Sequence, residues 1–136
     1  MKRYKPSATR QADLLTEWQN RCAYCRLPFG TLVWRRGIGS MRTSMTGTRR
    51  YAPNFAAISL IVEWDHFIPF TYTESSGDGQ FLPACQLCNR LKTSSVYRTV
   101  EGVRESIEPR WVNRYELADG PVRSFQEAQK RESDAA

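Results

Sequence analysis

The sequence is poor in histidine and contains no long apolar run. Its 136 residues include a single histidine, His66, which excludes motifs that need two histidines, such as H-E-x-x-H zinc sites and Cys2His2 fingers. The longest apolar run, residues 55–62, is too short to cross a bilayer. No apolar segment typical of a secretion signal follows the basic N-terminus. We therefore expect one cytoplasmic domain, without a membrane partner, whose cysteines stay reduced.

Four cysteines stand in two C-x-x-C pairs, Cys22 with Cys25 and Cys85 with Cys88. Each pair can form a knuckle, a tight turn whose two sulfurs face the same ion, and the four thiolates of two knuckles complete a tetrahedral zinc site. The alternatives are two disulfides, which a reducing compartment disfavours, or four unrelated thiols, which the duplicated spacing disfavours. The pattern predicts a structural Zn²⁺ site with no coordination position left for water.

Positive charge is concentrated in the first third of the chain. The net charge is +6, and residues 1–50 carry eleven Lys or Arg against two acids, whereas residues 51–136 carry nine against twelve. Sixteen of the twenty cations are arginine, whose planar fork suits bidentate phosphate contacts. Charge therefore favours a nucleic acid as partner, with a merely solubilising surface as the alternative.

The apolar pattern and the turn residues predict a mixture of helices and strands. Helices are expected over residues 9–20, from Cys88 onward, from Thr99 until Pro109 stops it, and after a capping box of Ser124 and Glu127. Strands are expected over residues 31–35 and 58–64, and a hairpin turn over residues 75–79.

Three polar residues could carry chemistry near the cysteine pairs. Asp65 and His66 lie between the pairs and Asn89 directly follows the last cysteine, so a zinc site would draw them into one region. A histidine can act as a general base near neutral pH. Carboxylate and amide oxygens suit Mg²⁺ or Mn²⁺. The alternatives are a structural Asp–His pair and an Asn89 that only caps a helix.

These residues belong to three ordered segments: CAYC at residues 22–25, EWDHFIP at 63–69 and FLPACQLCNRLKT at 81–93. Together the segments resemble the zinc-bound subgroup of the HNH endonucleases, which is often found in phage genomes. The resemblance covers residues 22–95 and implies an α+β fold with a ββα-metal, or His-Me finger, core. A basic segment, residues 1–21, and a helical extension, residues 96–136, would flank this core within a single nuclease domain.

By position, the resemblance implies that His66 is the general base and that Asp65 and Asn89 bind a catalytic divalent ion such as Mg²⁺ or Mn²⁺. The middle motif residue of the family, usually an Asn that orients the histidine, corresponds to Gln80 in this sequence. Because Gln adds a methylene, this bracing is altered or supplied elsewhere. Glu63 is either a supporting residue or an exposed strand glutamate.

The implied reaction is metal-assisted hydrolysis of a DNA phosphodiester that leaves 5′-phosphate and 3′-hydroxyl ends. Since neighbours on a regular strand point to opposite faces, Asp65 and His66 can serve one phosphate only where the chain bends. We therefore predict a bulge or strand end at Asp65, and a regular strand through Phe67 with His66 turned into the core would exclude this mechanism. The basic side chains expected to contact DNA are Arg35, Arg36, Arg49, Arg50, Arg90 and Lys92.

Two other functions fit the same residues. A zinc-knuckle DNA-binding module without activity is suggested by Gln80 and by the basic N-terminal third. An accessory role in a phage DNA-packaging assembly is suggested because small HNH proteins resembling this one can be encoded beside terminase genes. The intact set of Asp65, His66 and Asn89 favours the enzyme. Residues 99–136 carry no readable motif, and their helices could pack on the core, bind DNA or form a dimer contact.

Overall fold

The computed structural model describes residues 5–36, 57–67, 80–92 and 99–135. Its elements in chain order are α1 (Ala8–Glu17), β1 (Leu32–Arg35), β2 (Ile58–Ser59), β3 (Val62–Phe67), β4 (Gln80–Cys85), α2 (Gln86–Leu91), α3 (Val100–Arg114), β5 (Tyr115–Glu116) and α4 (Phe125–Ala135). The predicted mixture of helices and strands, the α+β class, is confirmed, and the turn predicted over residues 75–79 lies outside the described residues. Across these ranges, no helix is long and apolar enough to cross a membrane.

The two C-terminal helices begin at the predicted caps. The Thr99 hydroxyl accepts the Gly102 amide hydrogen at 2.9 Å, and the Ser124 hydroxyl accepts that of Glu127 at 3.0 Å. The reciprocal bond of the capping box differs, because the Glu127 carboxylate accepts from the amide of Arg123. Both caps satisfy amide groups that the first turn of a helix leaves unpaired.

Helix α3 continues through Pro109 to Arg114, so the prediction that Pro109 ends it is wrong. Proline cannot donate the amide hydrogen that residue 105 would accept. Both positions are exposed, where water can replace the lost bond. On the opposite face, Val103, Ile107 and Trp111 are fully buried. The packing of this stripe outweighs the local cost of the proline.

The strand predicted over residues 58–64 is interrupted between β2 and β3. Leu60 is buried and bonds to Thr31 and Gly30 through its backbone, while Ile61 is 55% exposed. The buried Gln86 amide spans the break, since it donates to the Ser59 carbonyl at 2.9 Å and accepts from the Ile61 amide at 2.8 Å. Side-chain and loop bonds thus replace a continuous ladder.

Strands β3 and β4 pair antiparallel without interruption from Val62 opposite Cys85 to Phe67 opposite Gln80. Asp65 lies opposite Leu82 and His66 opposite Phe81 within this register. The predicted bulge or strand end at Asp65 is therefore wrong, because regular pairing continues for two residues beyond it. Asp65 and His66 consequently point to opposite faces of β3.

The remaining strands and the C-terminal helices complete one buried core. Strand β1 pairs antiparallel with β2 and with β5, placing Val33 opposite Ile58 and Trp34 opposite Glu116. The core cluster joins both cysteine knuckles to apolar residues of α3 and α4, which are Val103, Ile107, Trp111, Phe125 and Ala128. Helices α3 and α4 thus pack on the core, which is one of the three possibilities expected for residues 99–136.

Candidate functional site

The four cysteines converge in the interior. Their Sγ atoms all lie within 4.8 Å of one another, the thiols are free, and all four residues are fully buried. A tetrahedral site with Zn–S bonds of about 2.3 Å places its sulfurs roughly 3.8 Å apart. Cys22, Cys25, Cys85 and Cys88 could therefore hold a metal ion such as zinc.

Backbone amides point at the sulfurs of this cluster. Cys22 Sγ accepts the amide hydrogens of Tyr24 and of Cys85, and Cys85 Sγ accepts that of Cys88, each at 3.3 Å. The hydrogen bond from the Cys85 amide to Cys22 Sγ joins the two knuckles directly, and Cys85 also caps helix α2. Such bonds stabilise negative charge on sulfur, as a metal-bound thiolate requires.

Burial opposes the ionisation of these thiols. It raises the pKa of Cys25 and of Cys88 well above the usual value for a thiol. Burial also acts to raise the pKa of Cys22, but hydrogen bonds from the other three cysteines and from the Cys85 amide outweigh it, so that pKa is lowered. Four thiolates packed together without a cation would repel one another, so full ionisation of the cluster requires a bound metal ion.

The C-terminal helices hold the first knuckle through its carbonyl groups. The Arg104 guanidinium of α3 donates to the Tyr24 carbonyl at 2.8 Å and to the Ala23 carbonyl at 2.7 Å. Gln129 of α4 donates to the Cys25 carbonyl at 3.0 Å. Sequence reasoning missed both residues, since no local pattern marks a contact between side chains and a knuckle 80 or more residues away.

A buried carboxylate lies beside this knuckle. Asp65 is 9% exposed, and its Oδ2 accepts hydrogen bonds from the Tyr24 hydroxyl and, at 2.8 Å, from Lys92 Nζ. Burial, reinforced by the negative charge of Asp65, raises the pKa of Tyr24 well above that of a free phenol. The Tyr24 hydroxyl therefore keeps its proton and acts as the donor.

The same face of β3 also meets Asn89. Every second residue of a strand points to the same face, so Glu63, Asp65 and Phe67 share this one. The Asn89 amide nitrogen donates to Glu63 Oε1 at 2.9 Å. Lys92 Nζ lies 5.6 Å from the centre of the Phe67 ring. Asn89 stands within α2, which begins at Gln86 rather than after Cys88, so Asn89 does not cap this helix.

His66 lies on the opposite face of β3. It is half-buried and stacks on Phe81, with ring centroids 4.8 Å apart and planes 29° apart. The structure thus brings Asp65, Lys92 and Tyr24 together, and Asn89 with Glu63, but it does not place His66 on the face of Asp65.

The basic residues predicted to contact DNA differ in their surroundings. Arg35 and Arg90 are exposed. Arg36 donates to the Val112 carbonyl at 2.8 Å, and the Lys92 side chain is only 14% exposed in its ion pair with Asp65. Arg49 and Arg50 lie outside the described residues, as does the side chain of Gln80.

Comparisons with models of protein families, with curated proteins and with solved structures find no match to this chain.

Proposed function

We propose that the protein is a zinc-stabilised, divalent-metal-dependent DNA endonuclease of the HNH type. The observation that carries the proposal is the convergence of oxygen-bearing side chains on one face of β3 beside the four-cysteine cluster. Glu63 and Asp65 occupy this face, and α2 brings Asn89 against it. Oxygen donors of this kind suit Mg²⁺ or Mn²⁺. The three sequence segments that resemble the HNH family contribute these elements in chain order, which are the first knuckle, then β3, then β4 with α2.

In this proposal the cysteine cluster binds one zinc ion and has a structural role. Four protein sulfurs fill a tetrahedral shell, so no position remains for water or substrate. If its energy is similar to that of zinc-finger sites, the bound ion contributes on the order of ten kcal/mol to folding. That contribution would fix the first knuckle against β4 and α2.

The second ion would be held by Asp65 and Asn89. When bound, it would supply positive charge that stabilises the phosphate and the leaving 3′ oxygen. Lys92 now neutralises the Asp65 carboxylate at 2.8 Å, so a divalent ion competes with this ammonium group for the carboxylate. Lys92, once displaced, remains close enough to pair with a flanking phosphate.

His66 is the proposed general base that accepts the proton of the attacking water. It lies one residue before the last residue of β3. Because His66 and Asp65 point to opposite faces of the regular strand, the proposal requires the backbone at this end of β3 to bend when DNA binds. Among the described residues, a bend here would break two pairs of the ladder, His66 with Phe81 and Phe67 with Gln80.

The deciding experiment is nicking of supercoiled plasmid with Mg²⁺, Mn²⁺ or Ni²⁺. Wild-type protein that is folded and zinc-loaded should nick the plasmid, and His66→Ala and Asp65→Asn should lose this activity. Asp119→Asn is the matched control, since it neutralises a carboxylate whose side chain is 65% exposed, and it should retain full activity. A wild type that leaves the plasmid intact with every metal contradicts the proposal.

A non-catalytic zinc-organised DNA-binding module is the second candidate. It is favoured by the ion pair that neutralises Asp65 and by the position of His66 on the opposite face. Such a module would bind DNA with an affinity that falls steeply as salt concentration rises. Salt-dependent binding without nicking would select this candidate over the enzyme.

A further inference from the structure

Tyr24 connects the cysteine cluster to the carboxylate of Asp65. It lies between Cys22 and Cys25, and its amide donates to Cys22 Sγ at 3.3 Å. Its side chain crosses to β3, where the hydroxyl donates to Asp65 Oδ2. Tyr24 is fully buried, so this contact forms within the protein interior. One residue of the knuckle thus reaches both a sulfur and a carboxylate.

The backbone of Tyr24 is held on both sides. Its amide bonds to Cys22 Sγ, and its carbonyl accepts from Arg104 at 2.8 Å. A tyrosine side chain has two rotatable bonds before its rigid ring, so the position of the hydroxyl follows closely from the backbone. The geometry of the knuckle therefore determines where the hydroxyl meets Asp65.

We propose that Tyr24 is a positioning residue that couples the zinc knuckle to the divalent-ion site, by holding the Asp65 carboxylate in its metal-binding orientation. This inference rests on the proposed function, because it takes Asp65 as a ligand. Groups that hydrogen-bond to metal ligands affect metal affinity by about 10- to 100-fold when they are removed. Tyr24 is such a group, and it is anchored by the zinc site itself.

The test is the affinity of the full-length, zinc-loaded protein for Mn²⁺, measured without DNA from the electron paramagnetic resonance signal of free Mn²⁺. Tyr24→Phe removes only the hydroxyl and should weaken Mn²⁺ binding by about tenfold or more. Tyr115→Phe is the matched control, because Tyr115 is also buried and packs on Trp111. It should bind Mn²⁺ as the wild type does, and Asp65→Asn should abolish binding.

The possible results separate this inference from the proposed function. If Asp65→Asn abolishes Mn²⁺ binding while Tyr24→Phe binds normally, the role of Tyr24 is overturned and the proposed site survives. A lower melting temperature of Tyr24→Phe with unchanged Mn²⁺ affinity likewise leaves Tyr24 with only a structural role. If Asp65→Asn binds Mn²⁺ as the wild type does, Asp65 is not a ligand, and the proposed function fails together with this inference.

A second measurement serves if Tyr24→Phe does not fold. Mn²⁺ is added to the wild type, and the tyrosine ultraviolet difference spectrum is recorded. An ion on Asp65 draws charge from the carboxylate that accepts the Tyr24 hydrogen bond, so the tyrosine absorption should change in the wild type and stay unchanged in Asp65→Asn. A wild-type spectrum that Mn²⁺ does not alter overturns the coupling.

Discussion

Replacement of Arg104 by methionine should destabilise the protein although Arg104 carries no predicted function. The guanidinium donates to the carbonyls of Tyr24 and Ala23 at 2.8 and 2.7 Å, and both of these residues are fully buried. Methionine keeps the apolar stem and a high helix propensity but removes both donors. Arg104→Met therefore isolates the two hydrogen bonds that tie α3 to the first knuckle.

The size of the effect follows from these two bonds. A hydrogen bond to a charged group contributes about 1.5–3 kcal/mol, and a buried carbonyl left unpaired costs about 1–3 kcal/mol. Because Arg104 is half-buried, water can partly replace its donors, and we expect a loss of about 2–4 kcal/mol. An unfolding entropy of about 2.1 cal/mol/K per residue gives roughly 0.29 kcal/mol/K for 136 residues. The melting temperature should therefore fall by roughly 7–14 °C.

The assay is calorimetric melting of the zinc-loaded protein, with Arg110→Met as the matched control. Arg110 lies on the same helix, and within the described part of the chain its side chain bonds only to Ser106, at 3.3 and 3.4 Å, so its replacement should change stability by less than about 0.5 kcal/mol. A chelator should also extract zinc faster from Arg104→Met than from Arg110→Met. Equal melting temperatures for the two variants would refute the assigned role of Arg104.

Three further predictions concern the metal sites and the core. Lys92→Met removes the cation that pairs with Asp65 at 2.8 Å, so Mn²⁺ should bind more tightly in calorimetric titration. Weaker binding would contradict the proposed competition between Lys92 and the metal ion for Asp65. Cys88→Ser should reduce zinc content from one ion per chain to less than one by metal analysis and unfold much of the protein, whereas full zinc content would exclude Cys88 as a ligand. Trp111→Ala should cost about 3–5 kcal/mol in denaturant unfolding, because Trp111 is fully buried, and a loss below 1 kcal/mol would contradict its place in the core.

The features that short segments encode were predictable from the sequence. The duplicated C-x-x-C spacing predicted the four-cysteine cluster, because each pair closes a local turn whose shape depends on few distant residues. The caps at Thr99 and Ser124 were predictable for the same reason, since each satisfies an amide three residues away. The cysteine spacing predicted that Asn89 and the residues of β3 lie in one region. It did not predict that the Asn89 amide would hydrogen-bond to Glu63 on one face of β3.

The features that depend on distant contacts were not predictable. Helix α3 passes Pro109 because Ile107 and Trp111 are buried by residues from other parts of the chain. The break before β3 depends on the side chain of Gln86, which bonds to backbone groups 25 and 27 residues earlier. The bend expected at Asp65 was inferred from a catalytic requirement, whereas the structure shows regular pairing of β3 with β4 from Val62 to Phe67.

The two proposed metal sites differ in donor chemistry, and this difference would keep their ions apart. Sulfur donors in a fully buried cluster select zinc over Mg²⁺ or Mn²⁺, whereas the oxygen donors of Asp65 and Asn89 suit the harder ions. The sites also differ in how their charge is balanced. The thiolates require a bound cation to ionise together, but Asp65 already has Lys92 as a counterion. It follows that folding should require zinc, whereas the second ion can bind to the folded protein and dissociate from it without unfolding.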